Sequence, residues 1–152
     1  MVFVFLQELK LTIMKLVHSY WAYLVLIMLL FAVINAIIGL SQKKEFGNKD
    51  LRIGLFTLIF SHIQLLIGLA WYFAGGFSGQ ISGEVMKDAD SRFVVIEHPI
   101  MMILAIVLIT IGWSKHKKKT ESKAKFKTFA IFYGIALVLV LSRIPWDKWP
   151  AF

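Results

Sequence analysis

Four long apolar stretches, separated by short polar ones, run along this chain of 152 residues. Each stretch is close to or above the roughly 20 residues that an α-helix needs to cross about 30 Å of hydrocarbon. A helix also satisfies its own backbone amides within lipid. The pattern therefore predicts an all-α fold, a four-transmembrane-helix bundle that forms one integral membrane domain over residues 1–152. The expected spans cover about residues 16–40, 51–74, 92–113 and 126–144.

The four spans are expected to pack as a bundle with short loops, because this is the simplest arrangement of consecutive spans. Small side chains let membrane helices approach each other closely. Such residues occur within the spans at Gly54, Gly68, Ala105, Gly112, Ala130, Gly134 and Ala136. Residues 1–17 mix apolar side chains with charged ones and lack the order of a cleavable signal peptide. They are predicted to form an amphipathic lead-in to the first span.

The polar stretches differ in charge, and this difference predicts an orientation. The first and third connections with their flanks hold eleven Lys and Arg residues, whereas the middle connection and the terminal segments hold six. Because basic residues are retained on the cytoplasmic side, the first and third connections are expected in the cytoplasm and both termini on the periplasmic side. Four aromatic residues lie where an outer-interface belt is expected, namely Trp71, Tyr72, Trp146 and Trp149.

Composition agrees with a membrane protein and excludes several other classes. The chain is 59% hydrophobic, has a mean hydropathy of +0.74 and contains no cysteine. No disulfide, thiolate metal site or cysteine-ligated iron–sulfur cluster can therefore form. The net charge of +8 comes largely from lysines in short loops, so membrane lipids are expected partners and nucleic acid is not.

Three histidines lie within or at the edge of the apolar stretches and are the strongest candidates for chemistry. Ionisable side chains are rare in hydrocarbon and usually face the protein interior. Counted from the outer end at about 1.5 Å per residue, His98 lies roughly 9 Å deep, His62 roughly 18 Å deep, and His18 near the surface. The fourth histidine, His116, lies among lysines of the third connection and is expected to be solvated.

Histidine is a common ligand of haem iron, and helix bundles hold cofactors between facing helices. Two of the three histidines are therefore expected to ligate a haem b. His62 with His98 is the preferred pair, and His18 with His98 is the competing one. Arg92 and Arg143, near the outer ends of the third and fourth spans, are expected to bind the haem propionates. The alternatives are histidines bonded to neighbouring carbonyls and arginines that extend to lipid headgroups.

The sequence Glu97-His98-Pro99 is the sharpest local motif. Pro99 has no N–H, so it frees a carbonyl one turn back and bends the helix, unless the helix begins there and Pro99 lies in its first turn. Glu97 needs a partner inside the membrane. It is expected to orient a histidine of another helix, to relay protons, or to pair with an arginine.

Four segments of the chain resemble a family of small four-span bacterial membrane proteins, labelled cytochrome b and found in Bacteroidetes. The segments are HSYWAYLVLI from His18, SHIQLLIGLAWYF around His62, EHPIMMILAIVLITIG around His98, and IFYGIALVLVLSRIPW near the end. Their order and spacing extend the resemblance over nearly the whole chain. The resemblance implies haem b bound by histidines at positions 18, 62 and 98, in a bacterial inner membrane.

These observations lead to three hypotheses of function. The first is a haem b electron-transfer protein, a subunit or partner of a respiratory or other membrane complex, with electrons passing between a quinone and that partner. No catalytic acid–base pair is evident, so no enzyme activity of its own is expected. The second is a non-haem accessory subunit of a larger membrane complex or a homo-oligomer. The third is a copper or zinc site formed by the three histidines, with Glu97 nearby.

Overall fold

The computed structural model describes residues 2–149, and this part of the chain consists of helices and turns. Six α-helices follow one another: α1 (Val2–Ser41), α2 (Asn48–Ala74), α3 (Gly83–Lys87), α4 (Ala89–Arg92), α5 (His98–His116) and α6 (Ser122–Ser142). A 3₁₀ turn at Phe77–Gln80 precedes α3, and a π-helical turn at Phe93–Glu97 joins α4 to α5. The all-α prediction is confirmed.

Four helical segments are long and apolar enough to cross a membrane, namely α1, α2, the continuous segment Ala89–His116 and α6. The predicted four-span organisation is confirmed, and the last three spans agree with their predicted boundaries to within a few residues. The first helix differs, because it begins at Val2 rather than near residue 16. No proline or glycine interrupts the sequence before Gly39, so the lead-in continues into the span as one helix.

The four long helices form a closed ring of contacts, in which α1 packs on α2 and α6, and α5 packs on α6 and α2. The Phe46 N–H donates to Ser122 Oγ at 3.0 Å, so the α1–α2 and α5–α6 connections meet at one end. We call this end, residues 42–47 and 117–121, the lysine-rich end. At the opposite end, Trp149 Nε1 donates to the Ser19 carbonyl at 3.1 Å. The α2–α5 connection also lies at that opposite end.

A densely packed core fills the half of the bundle nearest the lysine-rich end. Its buried residues are Leu29, Ala32, Val33, Ala36, Ala105, Ile109, Phe126, Phe129, Tyr133 and Ala136. Tyr133 is 0% exposed, and its hydroxyl donates to the Gly54 carbonyl at 3.0 Å. Because lipid is as apolar as these side chains, close packing and such interhelical hydrogen bonds are what hold this half together.

His116 is buried in this half of the bundle and is not exposed to solvent. It is only 2% exposed, and its ring centroid lies 4.7 Å from that of Phe129 and 4.5 Å from that of Trp113. The prediction that His116 is solvated was wrong. The reason is that α5 continues past Trp113 to His116, where Nδ1 bonds to the Trp113 carbonyl and the ring joins the aromatic cluster.

Several of the predicted small residues allow close helix contacts. An added Cβ at Gly112 would lie 2.7 Å from Phe132 Cβ on α6. Ala105 and Ala136, on the same two helices, are each 0% exposed. Gly134 differs, because within the described chain nothing beyond its own helix lies within 4 Å of the position its Cβ would take.

Substituting alanine at Gly112 and at Gly134 adds the same methyl group in these two settings. At Gly112 the new Cβ meets Phe132 Cβ, which is fixed to the α6 backbone, so α5 and α6 must separate. We expect Gly112→Ala to lower the free energy of unfolding by about 1–3 kcal/mol. Gly134→Ala should leave it unchanged or raise it by up to about 1 kcal/mol. Unfolding by dodecyl sulfate in mixed micelles, followed by circular dichroism, measures both; equal stabilities would contradict this contact.

Candidate functional site

A cavity of about 320 Å³ lies inside the ring of helices, at the end opposite the lysine-rich end, which we call the cavity end. Side chains from α1, α2, α5 and α6, from the 3₁₀ and π-helical turns, and from the segment after α6 line it. Most of the lining is apolar, and the volume is within the range of small-molecule sites in proteins. The titratable and amide side chains in the lining are Lys15, His18, Gln64, Tyr72, His98 and Lys148.

Two of the predicted ligands, His18 and His98, meet in this cavity. Their ring centroids are 6.3 Å apart, and their planes are almost perpendicular, at 80°. Imidazole nitrogens bind first-row metals such as zinc at about 2.0–2.1 Å, which places two rings that share one metal atom roughly 6 Å apart. The spacing of this pair therefore fits a single metal atom held between two imidazoles.

The C-terminus of α6 orients the ring of His98. His98 Nδ1 donates a hydrogen bond at 2.6 Å to the carbonyl of Arg143, the residue that follows α6. Carbonyls at a helix C-terminus have no partner within the helix, so this one is available to a neighbouring side chain. Because a carbonyl can only accept, Nδ1 carries the proton and Nε2 carries the lone pair that a metal ligand needs.

The backbone that leads into His98 departs from a regular α-helix. The His98 N–H bonds to the Phe93 carbonyl, five residues back, as in a π-helix. Pro99 lies in the first turn of α5 and offers no N–H to the carbonyl of Val95, four residues before it. That carbonyl instead accepts a hydrogen bond at 3.0 Å from the Tyr72 hydroxyl of α2. The prediction that Pro99 frees a carbonyl one turn back is confirmed.

His18 is held against α2. An added Cβ at Gly68 would lie 3.0 Å from His18 Cε1, so only glycine leaves room for the ring as it stands. Gln64 Nε2 donates to the His18 carbonyl at 3.0 Å and lies 3.5 Å from the ring Nε2. Within residues 2–149, His18 Nδ1 and Gln64 Oε1 are buried without a hydrogen-bond partner. Buried polar atoms normally have partners, so both atoms are available to a bound molecule.

His62 lies outside the cavity lining. Its Nδ1 bonds to the Leu58 carbonyl of its own helix at 2.8 Å, and its Nε2 lies 3.4 Å from Thr110 Oγ1 on α5. Both ring nitrogens thus have protein neighbours, which matches the alternative of a histidine bonded to a nearby carbonyl. The structure brings His98 together with His18, the competing pair of the sequence analysis, and leaves His62 apart.

Arg92 and Arg143 converge on Glu97. Arg92 Nε donates to Glu97 Oε1 at 2.9 Å, and Arg143 Nε lies 3.5 Å from Glu97 Oε2, close enough for an ion pair but not aligned for a hydrogen bond. Of the three roles expected for Glu97, pairing with arginine is the one that the structure contains. Neither arginine is part of the cavity lining. Both guanidinium groups thus have a carboxylate partner outside the cavity.

Sequence reasoning did not single out the two lysines of the cavity. Lys15 precedes His18 by three residues and therefore lies on the same face of α1, a spacing that could have identified it. Lys148 lies beyond α6, in a segment whose path no periodic pattern predicts. Trp71 was also expected only as an interface residue, and its ring lies 5.5 Å from that of His18.

No protein-family model, curated protein or solved structure matches this chain, so its function is argued from the site itself. Among residues 2–149, no three or more His, Cys, Asp or Glu side chains are grouped to hold a metal ion. The described part of the chain therefore gives no support to a copper or zinc site formed by three histidines. His62 lies outside the cavity and bonds to a carbonyl of its own helix.

Replacing Tyr72 by phenylalanine tests how the backbone before His98 is held. The substitution removes the hydroxyl that donates to the Val95 carbonyl. That carbonyl then has neither the Tyr72 hydroxyl nor an N–H from Pro99 as a donor. We expect Tyr72→Phe to lower the free energy of unfolding by about 1 kcal/mol. Tyr20→Phe is the matched control, because Tyr20 is exposed, at 55%. Dodecyl sulfate titration compares them, and an unaltered midpoint for Tyr72→Phe would argue against the role of this bond.

Proposed function

We propose that this protein is a membrane-embedded haem b protein for electron transfer, in which His18 and His98 would hold the haem iron. The observation that carries the proposal is the pair of imidazole rings, 6.3 Å apart, in a cavity enclosed by four helices. Held by two histidines of the chain, a haem would exchange electrons and would not take up a substrate. This arrangement favours a carrier of electrons over an enzyme.

Three features of the surrounding residues fit a haem. The lining is mostly apolar, as the body of a porphyrin requires, and includes Met102 and Ile106. The Arg143 carbonyl fixes the His98 ring in the tautomer that ligates through Nε2. On the other side, His18 has a buried ring nitrogen that the described part of the chain leaves without a partner. A haem bound here would supply one-electron chemistry through its iron.

The chain's own contribution is to fix the two histidines and to surround them with a mostly apolar lining. His98 is fixed by the Arg143 carbonyl and by the Tyr72 bond to the preceding turn, while His18 is fixed by its contacts with Gly68 and Gln64. Ligands that do not move between oxidation states keep the reorganisation during electron transfer small. The apolar lining lowers the local dielectric, which is one of the means by which proteins set a reduction potential.

The four apolar helices indicate a multi-pass membrane protein. We propose that it lies in a bacterial inner membrane with the lysine-rich end in the cytoplasm, as the distribution of basic residues favours. The cavity end and both termini then lie toward the periplasm. Electrons would pass there between a quinone and a larger membrane complex or a second copy of the chain.

A non-haem accessory subunit of a larger membrane complex is the second candidate. The observation that favours it is the start of α1, where Phe3 is 78% and Phe5 is 62% exposed. These apolar side chains suit contact with lipid or with a neighbouring membrane subunit. The two candidates differ in whether the purified protein carries a haem.

The visible absorption spectrum of the protein purified in mild detergent distinguishes the two candidates. We expect the reduced protein to show the split α and β bands of haem b. His18→Ala and His98→Ala should each lose the haem, because each removes one axial ligand. His62→Ala is the matched control and should retain it, since His62 lies outside the cavity.

Circular dichroism and size-exclusion profiles identify variants that lose the haem because they do not fold. A folded, colourless wild-type protein would contradict the haem proposal and favour the accessory subunit. Haem retained at full occupancy in both His18→Ala and His98→Ala would overturn the choice of ligands. Loss of haem in His62→Ala, with the fold intact, would restore the pair preferred from the sequence.

A further inference from the structure

Two exposed lysines contribute to the lining of the cavity that holds His18 and His98. Lys15 is one helical turn from His18 on α1, and Lys148 lies in the segment that follows α6. That segment is held against α1, because Trp149 Nε1 donates to the Ser19 carbonyl at 3.1 Å. Ser19 is one turn from Lys15, so this bond brings Lys148, the neighbour of Trp149, to the same side of the cavity.

A ring contact reinforces the position of Lys148. The Trp149 ring lies 4.3 Å from the ring of Tyr23, which follows Ser19 by one turn on α1. The segment after α6 is thus attached to α1 at two successive turns. Lys15 and His18 on α1, and Lys148 in the segment attached to α1, therefore lie on the same side of the cavity lining.

The two lysines differ from the nearby arginines in whether a carboxylate of the protein pairs with their charge. Arg92 and Arg143 both pair with Glu97. Neither Lys15 nor Lys148 forms a salt bridge with a carboxylate in the described range 2–149. The pKa of the exposed Asp88 lies below its usual value, chiefly through hydrogen bonds with Ser91 and to a smaller extent through the charges of Lys148 and Arg92.

We infer that Lys15 and Lys148 bind the carboxylates of the ligand that occupies this cavity. The inference rests on the proposed function, in which that ligand is haem b with its two propionates. A mostly apolar cavity with two lysines on one side suits an amphipathic molecule. Its apolar body would lie among the apolar side chains, and its carboxylates would lie near the lysines. The lysines, and not the arginines expected from the sequence, then set the orientation of the porphyrin.

Titration of the full-length apoprotein in detergent with haemin and with haemin dimethyl ester tests this assignment. The ester keeps the porphyrin and the iron but carries no carboxylate charge. We expect the wild-type protein to bind haemin roughly tenfold more tightly than the ester, as two partly exposed ion pairs would give. Lys15→Gln/Lys148→Gln should lose this preference while its affinity for the ester is unchanged. Soret absorbance measures both affinities.

Lys10→Gln/Lys87→Gln is the matched control, because both of these lysines are exposed and outside the cavity lining. It removes the same charge and should retain the tenfold preference. Equal affinity of the wild-type protein for haemin and its ester would overturn the role of the lysines and leave the haem site standing. An unchanged preference in Lys15→Gln/Lys148→Gln would do the same. If neither compound gives a Soret shift, the proposed function itself fails, and this inference with it.

Discussion

In the interior of a membrane, backbone polar groups have to find partners within the protein, because lipid offers none. At the cavity end, three backbone carbonyls accept hydrogen bonds from side chains of other elements. Tyr72 bonds to Val95, Gln64 to His18, and His98 to Arg143. Each of these bonds crosses between two helices or joins a helix to the end of another. Together they connect the four spans around the cavity without filling it.

The two halves of the bundle are built on different principles. The half near the lysine-rich end is closed by large side chains such as Phe126 and Tyr133, which are 1% and 0% exposed. The other half has few such side chains in its interior and relies on directed hydrogen bonds, so a cavity of about 320 Å³ remains there. The packed half thus holds the helices together, while the open half presents polar side chains to the cavity.

Hydropathy and length predicted the four spans, because both can be read from the sequence without knowing which residues meet in the folded protein. The predicted amphipathic lead-in of residues 1–17 and the first span form one helix, α1, because no proline or glycine breaks the sequence before Gly39. His116 was misassigned. Its neighbours in sequence are lysines, whereas its neighbours in space are Trp113 and Phe129.

The cavity was predicted only in part. Of the three candidate histidines, His18 and His98 line the cavity and His62 does not, because depth along a helix does not say which way a side chain faces. The π-helical turn before His98 and the Gly68 contact beside His18 determine the direction of these rings, and neither is encoded in a local pattern. Glu97 was expected to need a partner, but the sequence could not show that it pairs with both Arg92 and Arg143. Nor could it show that a lysine, Lys15, lines the cavity in their place.

Electron paramagnetic resonance of the purified, oxidised protein tests the central proposal most directly, because the signal of ferric haem reports its two axial ligands. With histidine labelled by ¹⁵N, couplings from axial imidazole nitrogens can be distinguished from those of the porphyrin. The account predicts a low-spin signal with two histidine ligands in the wild-type protein, and the loss of that signal in both His18→Ala and His98→Ala. A high-spin signal with one imidazole in the wild type, or a two-imidazole signal that persists in His18→Ala, would contradict it.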